Sequence, residues 1–357
     1  MISTFFLYNS ILLFSFFFAY CGEKVGNKRQ EVLCRIMVFL VLWIPASLRY
    51  GIGTDYFSYQ SIYEHIDWYT DDLEIGYVFL NKLIQSLSLG HEFLFSAVAG
   101  ITYVPICFGL PKKGYRMLVL FYVLTLYLSS FNIIRQSMAV SFSLYAIIQL
   151  LKGRNAVCFI MIILASLFHI SALLLLLCFF IKNINFNRFW GIFLSILGVL
   201  FIVKFNFISL VFESDIFLNS TYGGYADSSF NRESEIGSGL GIIAKALIPG
   251  VLILLAPRVQ NEEVGNGVFV GISMAYLFAQ TLSAQIHIFN RLVDIVSFIF
   301  VLGIGVINLI HWKYRKIVLM FFSFLFLLLF ENAISSEQSS KYQGAGISPY
   351  TSIFIKK

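Results

Sequence analysis

The feature that most limits this chain is the recurrence of apolar runs about as long as a bilayer is thick. Residues 317–330, for example, contain no charge and only one polar side chain, Ser323. A helix crossing the hydrocarbon core needs about 20 largely apolar residues. By that measure the sequence predicts spans near 2–20, 32–48, 91–110, 115–132, 133–151, 189–207, 240–256, 264–284, 288–310 and 317–332. A soluble reading fails on composition. Of 357 residues 59% are hydrophobic and 12% charged, with a mean hydropathy of +0.82, whereas soluble domains carry about 25% charge. A 40.7 kDa globule in water has too little interior to hide that much apolar surface. The expected fold is all-α: a polytopic membrane protein of about ten full spans in one transmembrane domain, 1–357. The first run lacks a basic leader, and Tyr20 before Cys21 makes a poor cleavage or lipidation signal, so it reads as an uncleaved span.

Between 155 and 181 the apolar pattern breaks at Phe168-His169-Ile170-Ser171. Basic residues flank it on both sides, Lys152 and Arg154 before, Lys182 and Arg188 after. The positive-inside rule puts both clusters in the cytoplasm, so the chain returns to the side it left. Two arms of 12 to 15 residues, each reaching roughly 20 Å, make a short helical hairpin with His169 near its apex. Extended to every loop, the rule gathers 15 of the 25 basic residues on the cytoplasmic side, among them Lys24, Arg35, Lys112, Lys113 and Arg116, against four acidic ones. The net charge of +6 then divides into +11 inside and −5 outside, with both termini outside. It is an orientation signal, and with no dense Lys/Arg run it suggests no nucleic-acid partner.

Residues 49–90 are expected as an outer-face loop with an amphipathic interfacial helix over 73–89: Leu73, Tyr77, Leu80, Ile84 and Leu87 form one face, and Glu74, Asn81, Gln85 and Ser88 another. Residues 213–239 are expected as a second outer loop, long enough to act as a lid. The five cysteines form no close pair at metal-ligand spacing, and Asp71-Asp72 has no evident supporting shell, so neither disulfide nor metal site is expected.

Ionisable groups at membrane depth are costly and mark candidate sites. Four clusters qualify, all on the outer side of this topology. In Arg49-Tyr50-Gly51-Ile52-Gly53-Thr54-Asp55, an arginine stands beside glycine-exposed backbone amides, followed by Tyr56, Tyr59 and Tyr63 along one helix side. Asn132, Arg135 and Gln136 share a helical face at the junction of two spans. Asn290 and Arg291 open another span with Asp294, and His169 with Ser171 tops the broken hairpin. Several arginines near one face suit a diphosphate better than a carboxylate. The eight aromatic residues from Tyr50 through Tyr77 could stack on sugar rings, though an interfacial aromatic belt explains them equally well.

These same motifs carry a resemblance. Arg49 to Tyr56, Glu74-Ile75-Gly76-Tyr77 with Leu80-Asn81, Asn132 to Ala139, Ala165 to His169 with Ser171, Asn290-Arg291-Leu292 and Pro349 to Phe354 together resemble the EpsG-type family of bacterial polysaccharide polymerases, related in role to the Wzy O-antigen polymerases. The resemblance implies a GT-C-like, metal-independent membrane glycosyltransferase with no cofactor, working at the outer face of the bacterial inner membrane. Its substrate would be an undecaprenyl-diphosphate-linked oligosaccharide within the lipid bilayer, with a chain-length regulator as a candidate protein partner and an O-antigen, capsule or exopolysaccharide as product. Arg49, Arg135 and Arg291 would hold diphosphates and stabilise the leaving group, and Asp55 or His169 would take or position the acceptor proton. Gly53, Thr54, Tyr56, Tyr59, Glu74, Tyr77, Asn81, Asn132, Gln136 and Asn290 would line the substrate site. A flippase for lipid-linked glycans would use similar outward arginines, but its charged path should continue toward the cytoplasm. A ligase breaks the same sugar–diphosphate bond and is chemically indistinguishable at this level.

Overall fold

A computed structural model describes residues 2–204, 239–258, 265–335 and 346–355; the loop expected over 213–239 lies outside them except for Gly239. The described residues are largely helical, and an isolated antiparallel bridge joins Arg49 to Ser352. Six helices are long and apolar enough to cross a membrane: Ser3–Lys24, Lys28–Ser47, His91–Gly109, Gly267–Gln285, Asn290–Leu309 and Arg315–Ser335. The other four expected spans are shorter helical stretches, at Tyr115–Tyr127, Ile134–Leu150, Arg188–Lys204 and Leu240–Leu254. The hairpin region holds two arms, Asn155–Ser166 and Ile170–Ile181. This is the architecture of a polytopic membrane protein.

The first helix, α1 (Ile2–Lys24), shows which solvent the fold is built for. Thr4, Tyr8, Ile11, Ser15 and Ala19 are buried at helical spacing, while Phe5, Phe6, Leu13, Phe14 and Phe17 are exposed. Small and polar side chains face the protein and large apolar ones face outward, the reverse of a soluble helix and the pattern that lipid solvation permits.

The chain forms two compact units, one comprising Met1–Leu150, Arg154–Leu173 and Phe300–Lys357, the other Leu151–Gly153 and Leu174–Ile299. In the first, α1 packs on α2 (Lys28–Ser47), which packs on α5 (His91–Val104); α6 (Tyr115–Tyr122) lies against α1, and α7 (Ile134–Leu150) against α8 (Asn155–Ser166). Two short helices, α3 (Tyr56–Glu64) and α4 (Ile75–Ser86), lie between α2 and α5 in the chain.

One end of this unit collects basic residues expected to share a side. Lys112 donates to the Val25 carbonyl (2.5 Å) and pairs with Glu31 (3.2 Å), and Arg116 approaches Glu23 (3.8 Å). Arg35 is buried there. It pairs with Glu31 at 3.0 Å and donates to the Cys107 and Leu110 carbonyls at 2.8 and 3.0 Å. The segment Pro105–Gly109 is a π-helical turn, whose wider winding leaves carbonyls without their α-helical donors; Arg35 and the Tyr115 hydroxyl (2.9 Å to Cys107) supply them. Fourteen residues of helical rise between Arg35 and Arg49 put the motif end of the unit roughly 20 Å away.

Helix α4 buries most of the face its pattern suggests, with Asn81 joining it. Tyr77, Leu80, Asn81 and Ile84 are buried and Leu87 is exposed. Asn81 follows Tyr77 by four residues and so stands almost on the same line. Its amide donates to the Tyr77 carbonyl at 2.7 Å, which satisfies part of a polar group that is fully buried.

Candidate functional site

The chain leaves α2 into the loop Leu48–Asp55, and neighbours fix that loop on two sides. The Thr54 amide donates to Asn132 Oδ1 at 2.8 Å, tying it to the turn before α7. Gly53, at φ +102°, passes so close to that turn that a Cβ would stand 2.5 Å from the Phe131 carbonyl oxygen. On the other side lies the segment 346–355. The Gly53 amide donates to the Gly346 carbonyl (2.8 Å), Tyr50 to Thr351 (2.8 Å) and Ile353 to Leu48 (2.9 Å). The Tyr8 hydroxyl reaches the Ile347 carbonyl (3.0 Å), the Tyr350 hydroxyl the Pro45 carbonyl (2.8 Å), and Thr4 Oγ1 receives the Tyr350 amide (2.8 Å). The closing motif is thus a strap over the first one.

Beneath the strap lies Arg49, with only 3% of its surface exposed. Its guanidinium lies over the rings of Phe131 (4.8 Å) and Phe95 (5.1 Å), and its charge is felt by Tyr8, Tyr56, Tyr103 and Tyr127. Burial pulls its pKa below the usual guanidinium value, opposed by those tyrosines. Its Nε has no hydrogen-bond partner. Tyr56 stacks on Phe95 at 4.5 Å, and burial pushes its phenol up to about 12.

A second cation, Arg135, lies at the start of α7 in a more open position. Its guanidinium is paired with the Glu74 carboxylate through Nη1, hydrogen-bonded to the Tyr59 side chain, and 5.8 Å from the Tyr77 ring. Its Nε is buried without a partner. Arg135 and Glu74 keep 21% and 17% of their side chains exposed. Burial raises the Tyr59 phenol, while Arg135 opposes the rise and Asp55 and Glu74 add to it. Asp55 itself receives the Thr54 hydroxyl at 3.1 Å. Asp55, Tyr59, Glu74, Tyr77 and Arg135 therefore form one charged, aromatic cluster.

The hairpin apex is held against this cluster. Gly76 donates its amide to the Leu167 carbonyl at 2.9 Å, and a Cβ on Gly76 would come within 2.6 Å of that oxygen. His169 is buried beside it, with Nδ1 2.7 Å from Ser171 Oγ and 3.3 Å from the Ser171 amide. An amide can only donate, so Nδ1 is the acceptor and the neutral ring carries its proton on Nε2. His169 in this state offers a donor at Nε2, and its basic nitrogen is already engaged.

Of the residues singled out from sequence, Arg49, Gly53, Thr54, Asp55, Tyr56, Tyr59, Glu74, Tyr77, Asn81, Asn132, Arg135, Gln136 and His169 all fall in the first unit. Gln136 and Asn81 are buried in its packing, and Thr54 is exposed. Asn290 and Arg291 belong to the second unit, where Asp294 lies within electrostatic reach of Lys245 and Arg291. Sequence reasoning did not foresee the strap's contacts or the ring box of Phe95 and Phe131 around Arg49.

Among groups of His, Cys, Asp and Glu in the described residues, none is arranged to hold a metal ion. A family model described as the EpsG family matches residues 32–352, nearly the whole chain. No curated protein and no solved structure matches.

Proposed function

Since the chain belongs to the EpsG family, we propose that it is a membrane polysaccharide polymerase that joins repeat units carried on undecaprenyl diphosphate at the outer face of the bacterial inner membrane. The observation that carries this reading is the cluster around Arg135. A guanidinium with an unused N–H, a phenol, two carboxylates and a buried tyrosine ring meet at the end of the unit remote from its basic patch.

In the proposed reaction a sugar hydroxyl of one lipid-linked unit attacks the anomeric carbon of the growing glycan. The bond from that carbon to the diphosphate oxygen breaks, and negative charge develops on the departing diphosphate. Arg135 is placed to meet that charge, a form of stabilisation that acts most strongly in the transition state. Arg291 is the corresponding candidate in the second unit. Arg49, the further candidate for holding a diphosphate, lies buried beside the strap between the rings of Phe131 and Phe95.

The test is the product made by cells carrying Arg135→Ala or Arg291→Ala. A folded, membrane-inserted variant that yields single repeat units supports the polymerase. Long chains of normal length from both variants refute it. Polymer stranded on the carrier lipid points to a ligase, and units accumulating on the cytoplasmic leaflet point to a transporter.

A further inference from the structure

The pairing of Arg135 with Glu74 raises a difficulty that its own geometry resolves. If Arg135 served only to receive a diphosphate, a carboxylate fixed on it would repel the ligand. If the pair served only to hold the fold, the buried Nε–H of Arg135 would remain a polar group lost from water without compensation, a cost that structural pairs rarely carry. Both features make sense if the carboxylate is a placeholder. A diphosphate brings more charge and more acceptor oxygens than one carboxylate, so it can take Nη1 from Glu74 and engage the unused Nε at the same time.

We propose that Glu74 is the general base of the transfer, released for that role when the donor diphosphate displaces it from Arg135. The inference rests on the polymerase reading of this site. Glu74 precedes the first turn of α4, but its side chain makes no capping bond to the helix; it is committed to Arg135. Its backbone is anchored two residues later, where Gly76 bonds to Leu167 and packs too closely to shift. Exchange therefore moves the carboxylate and leaves α4 in place, so the freed group remains beside the diphosphate it has yielded to.

The step then balances. The acceptor oxygen bonds to the anomeric carbon, the anomeric carbon–oxygen bond to the diphosphate breaks with its electron pair, and the hydroxyl proton passes to a Glu74 carboxylate oxygen. The leaving group's charge rests on Arg135. Asp55 is less suited to this coupling. It receives the Thr54 hydroxyl, and no contact ties it directly to the cation that meets the diphosphate. The acceptor nitrogen of His169 is already engaged by the Ser171 hydroxyl and amide. The arrangement makes base release conditional on donor binding, which keeps the carboxylate engaged on Arg135 while the site is empty.

The experiment uses the purified full chain with two readouts: binding of inorganic pyrophosphate, and single-turnover extension of a defined lipid-linked repeat unit. Glu74→Gln removes the competing charge and the base while keeping the side chain's shape. It should bind pyrophosphate at least about fivefold more tightly than wild type while extending about a hundredfold or more slowly. Glu74→Asp, a base on a shorter arm, should recover part of the rate. Extension by Glu74→Gln at the wild-type rate overturns the assignment, and so does weaker pyrophosphate binding, which would make Glu74 a prop for Arg135. A wild-type protein that binds pyrophosphate but never extends the unit refutes the polymerase reading itself, a different outcome from either.

Discussion

The close pass of the Leu48–Asp55 loop over the Phe131–Asn132 turn predicts a large effect from the smallest substitution. Gly53→Ala adds one methyl group at φ +102°, outside the left-handed region that L residues tolerate, at a strain of about 1–3 kcal/mol. The methyl would stand 2.5 Å from the Phe131 carbonyl oxygen and 2.9 Å from Asn132 Oδ1. The first is backbone and cannot swing aside. Separating the two segments loses the bond from the Thr54 amide to Asn132, worth about 1 kcal/mol. Together these come to about 3 kcal/mol. Gly51→Ala is the control. Its φ of +63° costs roughly 1–2 kcal/mol, and its new methyl would meet only the edge of the Phe57 ring at 3.4 Å. Thermal melting in detergent micelles should show Gly53→Ala unfolding further below wild type than Gly51→Ala, with loss of polymer in cells only for the former. Equal shifts for the two variants, or a Gly53→Ala protein that still makes long chains, would refute the close packing of this loop.

Two further outcomes are expected. Arg35→Met keeps the bulk of the side chain but takes a donor from the Leu110 carbonyl, one of two donors from the Cys107 carbonyl and one of two cations from Glu31, so it should destabilise the protein by about 1–3 kcal/mol in melting experiments; Arg35→Lys should rescue it only in part, because one ammonium cannot reach Glu31 and both carbonyls as Nε and Nη1 do together. In a background without the native cysteines, Thr54→Cys should react with an impermeant thiol reagent on intact spheroplasts, and Lys113→Cys only after permeabilisation. The reverse pattern would invert the proposed orientation.

The helices were legible because lipid imposes a simple demand on sequence. Every expected span outside the hairpin corresponds to a helical segment, and the hairpin breaks at Leu167–His169, where Phe-His-Ile-Ser interrupts the apolar run. The same-side grouping of Lys112, Arg116 and the Lys24–Glu31 turn was legible from charge alone. Three things were hidden. Asn81 turned inward because a side chain can bond to its own helix, a local satisfaction that polarity patterns do not register. The π-helical turn at Pro105–Gly109 takes a donor from Arg35, 72 residues from Cys107. The depth of Arg49 depends on rings from α5 and the Phe131 turn and on the strap, contacts separated by up to 303 residues. Cation–aromatic burial of this kind has no local pattern, since any apolar neighbour would look the same in sequence.

The strap also sets an order of events during synthesis. Arg49 leaves the ribosome some 300 residues before the backbone that covers it, residues 346–355. Until then the guanidinium has its rings but lacks its cover, and the Gly53 and Tyr50 amides lack their acceptors. The motif end of the first unit is therefore completed only after the intervening helices have been threaded into the bilayer. A chain broken just after Ser335 would carry all six long apolar helices and still have an unfinished site.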